Sequence, residues 1–345
     1  MRRRIVMLSL CAVMLNACAL FPGHEGIDEA IASIERGEYT EAVGILERAE
    51  EAGENPRQLH RARGIALMGL AKYEDAAEEF LLTLSENNGY VRKLDVDTSY
   101  YLAVSQYRSG DVSGAKDTYT AIIGMYPEES DAFLLRGKTE LKLGERDNAI
   151  ADFNQAVRLK KNDPDLYIQI YESLNQNGLE EDGEVYLKDA MELNTRLTNL
   201  QKGKLYYCMQ DYDRAKDALE AARSEGAGES ITLYLGRTYE ALGDTNYAAS
   251  LYRAYLTENP SDVEICNQLG LCCLDMQDYR SALEAFQQGL SIPDNEFEQT
   301  LKYNEIVAYE YLSDFSRAET LMKEYLDKYP DDEAAIRENK FLQTR

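Results

Sequence analysis

A six-residue pattern recurs nine times along the 345-residue chain, and no other feature limits the possible folds so strongly. It reads GEYTEA at Gly37–Ala42, AKYEDA at Ala71–Ala76, GDVSGA at Gly110–Ala115, GERDNA at Gly144–Ala149 and GLEEDG at Gly178–Gly183. It continues as QDYDRA at Gln210–Ala215, GDTNYA at Gly243–Ala248, QDYRSA at Gln277–Ala282 and SDFSRA at Ser313–Ala318. The last residues of these segments are 34, 39, 34, 34, 32, 33, 34 and 36 apart. A period this constant argues against one global core. It predicts short units that bury their apolar faces on their neighbours in a stack.

Each unit reads as helix, tight turn, helix. Between Leu233 and Pro260, Leu235, Tyr239 and Leu242 follow 3–4 spacing, and Gly243-Asp244 breaks the pattern. Ala248, Leu251, Tyr252 and Tyr255 then form a second apolar stripe, which Pro260 stops. Gly236 sits inside the first helix, where glycine costs about 1 kcal/mol relative to alanine. It recurs as Gly64, Gly137, Gly203 and Gly270. The gain expected to offset that cost is close approach of the partner helix, with a large side chain filling the remaining space.

Leu235-Gly236, Tyr239, Ala248, Tyr252 and Pro260 occupy the positions that mark the tetratricopeptide repeat, and the chain resembles that family over roughly residues 23–332. The alanine recurs in eight of nine units, with Gly183 the exception, and the closing proline recurs as Pro127 and Pro330. The resemblance implies an all-α, right-handed superhelical solenoid of about nine helix-turn-helix units over residues 26–332. Residues 333–345 read as a polar capping helix that covers the open end. Two irregularities stand out. About five extra residues fall between Leu84 and Tyr100, around the turn signal Asn87-Asn88-Gly89. The unit at Gly178–Gly183 lacks the usual aromatic and alanine and reads as the weakest by pattern.

The N-terminus reads as a targeting segment. Basic MRRR precedes an apolar run, Ile5–Leu15, that suits a signal peptide and is too short to span a bilayer. Leu15-Asn16-Ala17-Cys18 resembles the lipobox of bacterial lipoproteins. That resemblance implies cleavage of residues 1–17, a lipidated Cys18 and a linker over residues 18–25. Two acyl chains hold a membrane far better than one, at about 0.8 kcal/mol per buried CH₂. The expected location is extracytoplasmic, anchored to a bacterial membrane.

With 62 acidic and 37 basic residues, the net charge is −25, and loss of the three arginines in residues 1–17 would make it more negative. Such a charge repels nucleic acid phosphates and anionic lipid headgroups. Chemistry is hard to find. The histidines are His24, in the linker, and His60, which reads as a core or boundary aromatic. No His/Cys cluster has metal-ligand spacing. Gly137-Lys138-Thr139 matches the end of a P-loop, but Ala132 stands where the first glycine belongs and the segment reads as mid-helix. Ser113–Lys116 matches S-x-x-K and reads as the turn of the third unit. Acid pairs such as Glu50-Glu51 and Asp331-Asp332 read as solvated helix ends. Cys208, Cys266, Cys272 and Cys273 permit two disulfides, but their helical spacing among apolar residues favours buried thiols. No catalytic site or cofactor is expected.

In the resembled family, first helices line a concave groove in which partner peptides lie. The residues one, four and five after the helix glycine position share a stripe. From the third to the seventh unit this stripe carries Val104, Tyr107, Arg108; Lys138, Leu141, Lys142; Glu172, Asn175, Gln176; Lys204, Tyr207, Cys208; and Arg237, Glu240, Ala241. Tyr107, Arg108, Lys138, Lys142, Lys204, Tyr207 and Arg237 are therefore the candidate binding residues, suited to an extended segment bearing carboxylates. The competing reading is that these cations pair with local acids. The family's clamp for chaperone tails, with paired Lys and Asn, is not matched. The expected function is a non-catalytic, membrane-anchored scaffold for protein partners at the cell envelope. A cell-wall or glycan-binding module, or an accessory subunit positioning an envelope enzyme, are the alternatives.

Overall fold

The computed structural model describes residues 25–85, 93–193, 196–226, 228–292, 295 and 297–345. The expected signal peptide, Cys18, His24 and the Asn87-Asn88-Gly89 turn lie outside these residues. The described residues form nineteen helices and no strand, an all-α repeat fold.

The helices come in pairs: α1 Glu25–Glu35 and α2 Tyr39–Glu51; α3 Pro56–Gly69 and α4 Tyr73–Ser85; α5 Lys93–Ser109 and α6 Val112–Met125. Then follow α7 Ser130–Lys142 and α8 Arg146–Leu159; α9 Pro164–Gln176 and α10 Glu180–Met191; α11 Asn199–Cys208 and α12 Tyr212–Glu225. The last pairs are α13 Glu229–Ala241 and α14 Thr245–Glu258; α15 Val263–Asp275 and α16 Tyr279–Leu290; α17 Glu298–Tyr311 and α18 Phe315–Lys328; α19, Glu333–Leu342, stands alone. The chain divides into two compact bodies, one ending at Asn194 and the other starting at Thr195. The first holds α1–α10 and the second α11–α19.

The recurring hexapeptide is the turn between paired helices, and its first residue adopts a left-handed conformation in all nine repeats. Five are glycines, with φ from 72° at Gly178 to 95° at Gly110. The other four are Ala71, Gln210, Gln277 and Ser313, with φ between 54° and 62°. In eight turns the next backbone N–H reaches back to a carbonyl five residues earlier, as from Asp244 to Tyr239 at 2.8 Å. That bond satisfies an otherwise orphaned carbonyl at the helix end. Where the second residue is aspartate it also starts the next helix. Asp111, Asp211, Asp244, Asp278 and Asp314 each accept a backbone N–H three residues on. Such a cap stabilises by about 1 kcal/mol.

The helix glycines do what their recurrence suggests. A Cβ on Gly64 or Gly137 would lie 2.6 Å from Cε1 of Phe80 or Phe153. On Gly236 it would lie 2.2 Å from Cζ of Tyr252, and on Gly270 2.2 Å from Cε1 of Phe286. Gly203 faces Leu219 in the same way, at 2.4 Å. Each bulky partner is fully buried on the second helix of its pair. Lost helix propensity is thus exchanged for inter-helix contact.

The fifth repeat, the weakest by pattern, keeps a close fit in another form. Its large and small residues have changed helices. Tyr171 stands on α9 where glycine is usual, and Gly183 stands on α10 where alanine is usual. A Cβ on Gly183 would sit 2.9 Å from Cδ2 of Tyr171. Ile170, Leu174 and Ala190 are wholly buried around them, and Leu187 nearly so. The complementarity is retained with its sense reversed.

Within each body every helix packs on its chain neighbours. First helices also meet one another: α1 with α3, α3 with α5 and α7 with α9 in the first body, and α11 with α13 and α13 with α15 in the second. The first helices therefore form the closely spaced inner layer of each body. The lone α19 closes the second body, with Ala335 and Leu342 packed on Ile306, Ala318, Met322 and Tyr325. It begins where the expected cap does. Cys208, Cys266, Cys272 and Cys273 are buried thiols.

Candidate functional site

The stripe drawn from spacing lies on the inner layer, but the two bodies treat it differently. In the first body, Tyr107 and Arg108 occupy the last turn of α5, and both are exposed. On α7, Lys142 is exposed and Lys138 half-buried, while Leu141 points into the core at 6% exposure. On α9, Asn175 and Gln176 are exposed beside half-buried Glu172. This body displays an aromatic ring, two cationic heads and two amides on successive first helices.

In the second body the stripe turns inward. Lys204 is only 8% exposed, and its Nζ lies 5.4 Å from the centroid of the Tyr234 ring. A buried ammonium over a ring face is stabilised by the ring quadrupole, by about 2 kcal/mol when desolvated. Tyr207 meets Tyr234 edge-on, with centroids 5.4 Å apart, and Tyr212 at 5.8 Å. Burial raises the pKa of its hydroxyl, and the charge of Arg237 opposes that rise. Arg237 pairs with Glu264 at 3.0 Å. Glu240 accepts the hydroxyl of Tyr252 at 2.6 Å. Its pKa is raised by burial, against the pull of that bond, of Cys272 and of Arg237. For Lys204 and Arg237 the reading of cations engaged with local groups describes the arrangement. Both candidates belong to a packed aromatic and ionic network.

A second ionic cluster lies between α3 and α5, where no apolar pattern points to it. Arg57 pairs with Asp95, and Arg61 with Asp97 at 2.9 Å. Both acids are at least 95% buried. Burial raises the pKa of Asp97, and Arg61 counters it. Arg61 also lies over the Tyr101 ring, at 5.5 Å. Removing one partner from such a pair costs about 3–5 kcal/mol, so these residues tie α3 to α5. A sequence signal did exist. Arg57 and Arg61 lie one helical turn apart, and Asp95 and Asp97 sit in the first turns of α5. His60 belongs to the same region. It is half-buried, a boundary residue as one of the two readings has it, with Nδ1 2.7 Å from Glu79. Arg63 bridges Glu79 and Glu50, so Glu50 is paired.

Farther along the first body, Arg136 holds Asp152 through two bonds of 2.6 and 2.8 Å. Glu140, 6% exposed, stands beside this pair with Oε2 closed off and unpartnered. Burial and the neighbouring Asp152 push its pKa up to about 7, against Arg136. Gly137-Lys138-Thr139 is mid-helix in α7, so it offers no phosphate loop. Among the described residues no group of three His, Cys, Asp or Glu is arranged to hold a metal ion. No described helix is long and apolar enough to cross a membrane. The arrangement offers surfaces for contact.

The sequence matches family models described as tetratricopeptide repeat over residues 27–90, 100–164 and 200–263, and over 263–296. Among solved structures, a tetratricopeptide repeat protein from Parabacteroides merdae is 15% identical, with a TM-score of 0.50 over 73% of this chain and 98% of that one. A monomeric mutant of IFIT1 solved with Gppp-AAAA is 15% identical, with a TM-score of 0.49 over 97% of this chain and 90% of that one. YrrB, described as a TPR protein with an unusual peptide-binding site, is 19% identical, with a TM-score of 0.36 over 64% of this chain and 97% of that one. At these identities the likeness concerns fold alone.

Proposed function

We propose that this chain, which belongs to the tetratricopeptide repeat family, is a non-catalytic scaffold that binds an extended, carboxylate-bearing segment of another protein. We further propose that Cys18 tethers it to a bacterial membrane on the extracytoplasmic side. The observation that carries the binding reading is the display of Tyr107, Arg108 and Lys142 on the inner layer of the first body, in a chain of charge −25. Acidic surfaces elsewhere repel an acidic segment, so the exposed cations orient its approach. Arg108 and Lys142 supply charge-assisted hydrogen bonds, Tyr107 supplies contact area at low entropic cost, and Asn175 and Gln176 pair with the backbone of the segment. The engaged cations Lys204 and Arg237 hold the second body together instead.

In-cell crosslinking from position 107, followed by mass spectrometry, identifies the partner. Affinity is then measured for Arg108→Glu with Lys142→Glu, and for Arg158→Glu with Lys216→Glu, at two salt concentrations. The second pair lies on second helices and changes net charge equally. The first pair should weaken binding at least tenfold, mostly through slower association and less at high salt. Equal effects from both pairs would overturn the binding-face reading. For the anchor, Cys18→Ala should leave unprocessed precursor or soluble protein on cell fractionation. Normal processing and membrane retention would overturn it.

A further inference from the structure

The turns between paired helices differ in the two bodies. In the first, four of five open with glycine: Gly37, Gly110, Gly144 and Gly178. In the second only Gly243 does. Gln210, Gln277 and Ser313 hold the left-handed position instead, at φ 59°, 62° and 61°. A side chain is strained there. Strain that no protein contact explains is a pointer to a ligand.

Gln277 and Ser313 show no such contact. Both are exposed, and neither the Gln277 amide nor the Ser313 hydroxyl meets a hydrogen-bond partner among the described residues. Their two turns are brought together by rings. Tyr279, two residues after Gln277, stacks on Tyr311, two residues before Ser313. The centroids are 4.8 Å apart and the planes 6° from parallel. Tyr279 therefore covers one face of Tyr311. Tyr311 is nevertheless 58% exposed, the highest value among the described large apolar side chains, so its other face is open to solvent. Neither tyrosine hydroxyl is bonded to a described residue.

We propose that the Tyr279–Tyr311 stack, flanked by Gln277 and Ser313, is a binding site for an uncharged saccharide.

The chemistry selects this class. A pyranose ring has a face of C–H groups and a rim of hydroxyls that both donate and accept. The open face of Tyr311 is the negative side of the ring quadrupole and suits the C–H face. The Gln277 amide and the hydroxyls of Ser313, Tyr279 and Tyr311 also donate and accept, so they match the rim. The acids beside the stack are engaged elsewhere. Asp278 and Asp314 cap α16 and α18, accepting the N–H groups of Ser281 at 3.3 Å and Arg317 at 3.2 Å. Asp275 accepts the Thr245 hydroxyl at 2.9 Å. Arg280 follows Tyr279 directly and so leaves α16 on another side. An uncharged ligand is neither drawn nor repelled at range by a chain of charge −25, so contact chemistry alone decides its binding. The site is separate from the inner stripe of the first body and does not depend on it.

The test is titration of the full chain with four neutral hexasaccharides: β-1,4-linked glucose, N-acetylglucosamine and mannose, and α-1,4-linked glucose. Calorimetry reads binding, as does tyrosine fluorescence, since the chain has no tryptophan. At least one sugar should bind with a millimolar Kd or better. Tyr311→Ala should weaken it about tenfold, and Tyr311→Phe about threefold. Gln277→Gly should weaken it about threefold while the melting temperature holds or rises, which separates ligand contact from folding. Arg108→Glu with Lys142→Glu should leave it unchanged. Absence of binding by all four sugars would overturn the proposal, as would equal affinities of wild type and Tyr311→Ala. Preference for a poly-L-proline decamer over every sugar would assign the stack to proline-rich segments and overturn it likewise.

Discussion

Replacing Gly236 by alanine should destabilise the second body, although alanine is the better helix former. Propensity alone predicts a gain of about 1 kcal/mol. Against it, the new Cβ would stand 2.2 Å from Cζ and 2.3 Å from the hydroxyl of Tyr252. The Tyr252 side chain is completely buried and pinned by its 2.6 Å bond to Glu240. Overpacking of this kind costs about 1–3 kcal/mol. Losing a hydrogen bond to a charged acceptor costs a further ~1.5–3 kcal/mol. The net expectation is a loss of about 2–4 kcal/mol. Gly44 in α2 is the control, because its nearest neighbour would be Arg48 Nη1 at 3.9 Å. Gly44→Ala should gain about 0.5–1 kcal/mol. Urea titration followed by circular dichroism measures both, with hydrogen exchange assigning the loss to α13 and α14. Adding Tyr252→Leu to Gly236→Ala reproduces the first repeat, where Ala30 and Leu46 occupy these positions and both are fully buried. The double variant should recover part of the loss, because the sites are in contact and so not additive. The close-packing account is falsified if Gly236→Ala is as stable as wild type.

Gln210→Gly and Gln277→Gly should each stabilise by about 0.5–1 kcal/mol, since both residues sit in left-handed turns, at φ 59° and 62°, where a side chain is strained; thermal melting of the two variants should show a rise for each. Glu140 has a raised pKa, so its protonated form favours the fold; that contribution is complete below the ordinary value of 4.5 and lost as pH rises to about 7. Glu140→Gln should therefore leave stability unchanged at pH 4.5 and raise it by about 1–2 kcal/mol at pH 8, and urea midpoints that moved equally at the two pH values would show that the buried carboxyl does not titrate there.

The period, the turns and the helix glycines sufficed to determine the helix pairs. Each is a local signal. A turn residue that must be left-handed, an aspartate that caps the next helix and an apolar stripe at 3–4 spacing all act within a few residues. Even the glycine and its bulky partner lie inside one repeat, 16 positions apart in Gly236 and Tyr252 as in Gly64 and Phe80. The Asp chain of caps and the lone last helix were equally open to reading from the pattern.

Which residues of the inner stripe face solvent was decided only by the tertiary structure. Lys138 and Lys204 occupy the same place in the repeat pattern, yet one is half-buried and the other is 8% exposed over the Tyr234 ring. The difference comes from a ring on the next repeat's first helix, 30 residues on, which no local period specifies. The pairs Arg57–Asp95 and Arg61–Asp97 likewise join residues 38 and 36 apart. The fifth repeat shows the same limit from the packing side. Moving bulk from α10 to α9 erases the motif while preserving the fit between Tyr171 and Gly183. Hydrophobic periodicity reports which face of a helix is buried. Shape and charge complementarity belong to pairs of surfaces, and those pairs exist only once the helices have been brought together.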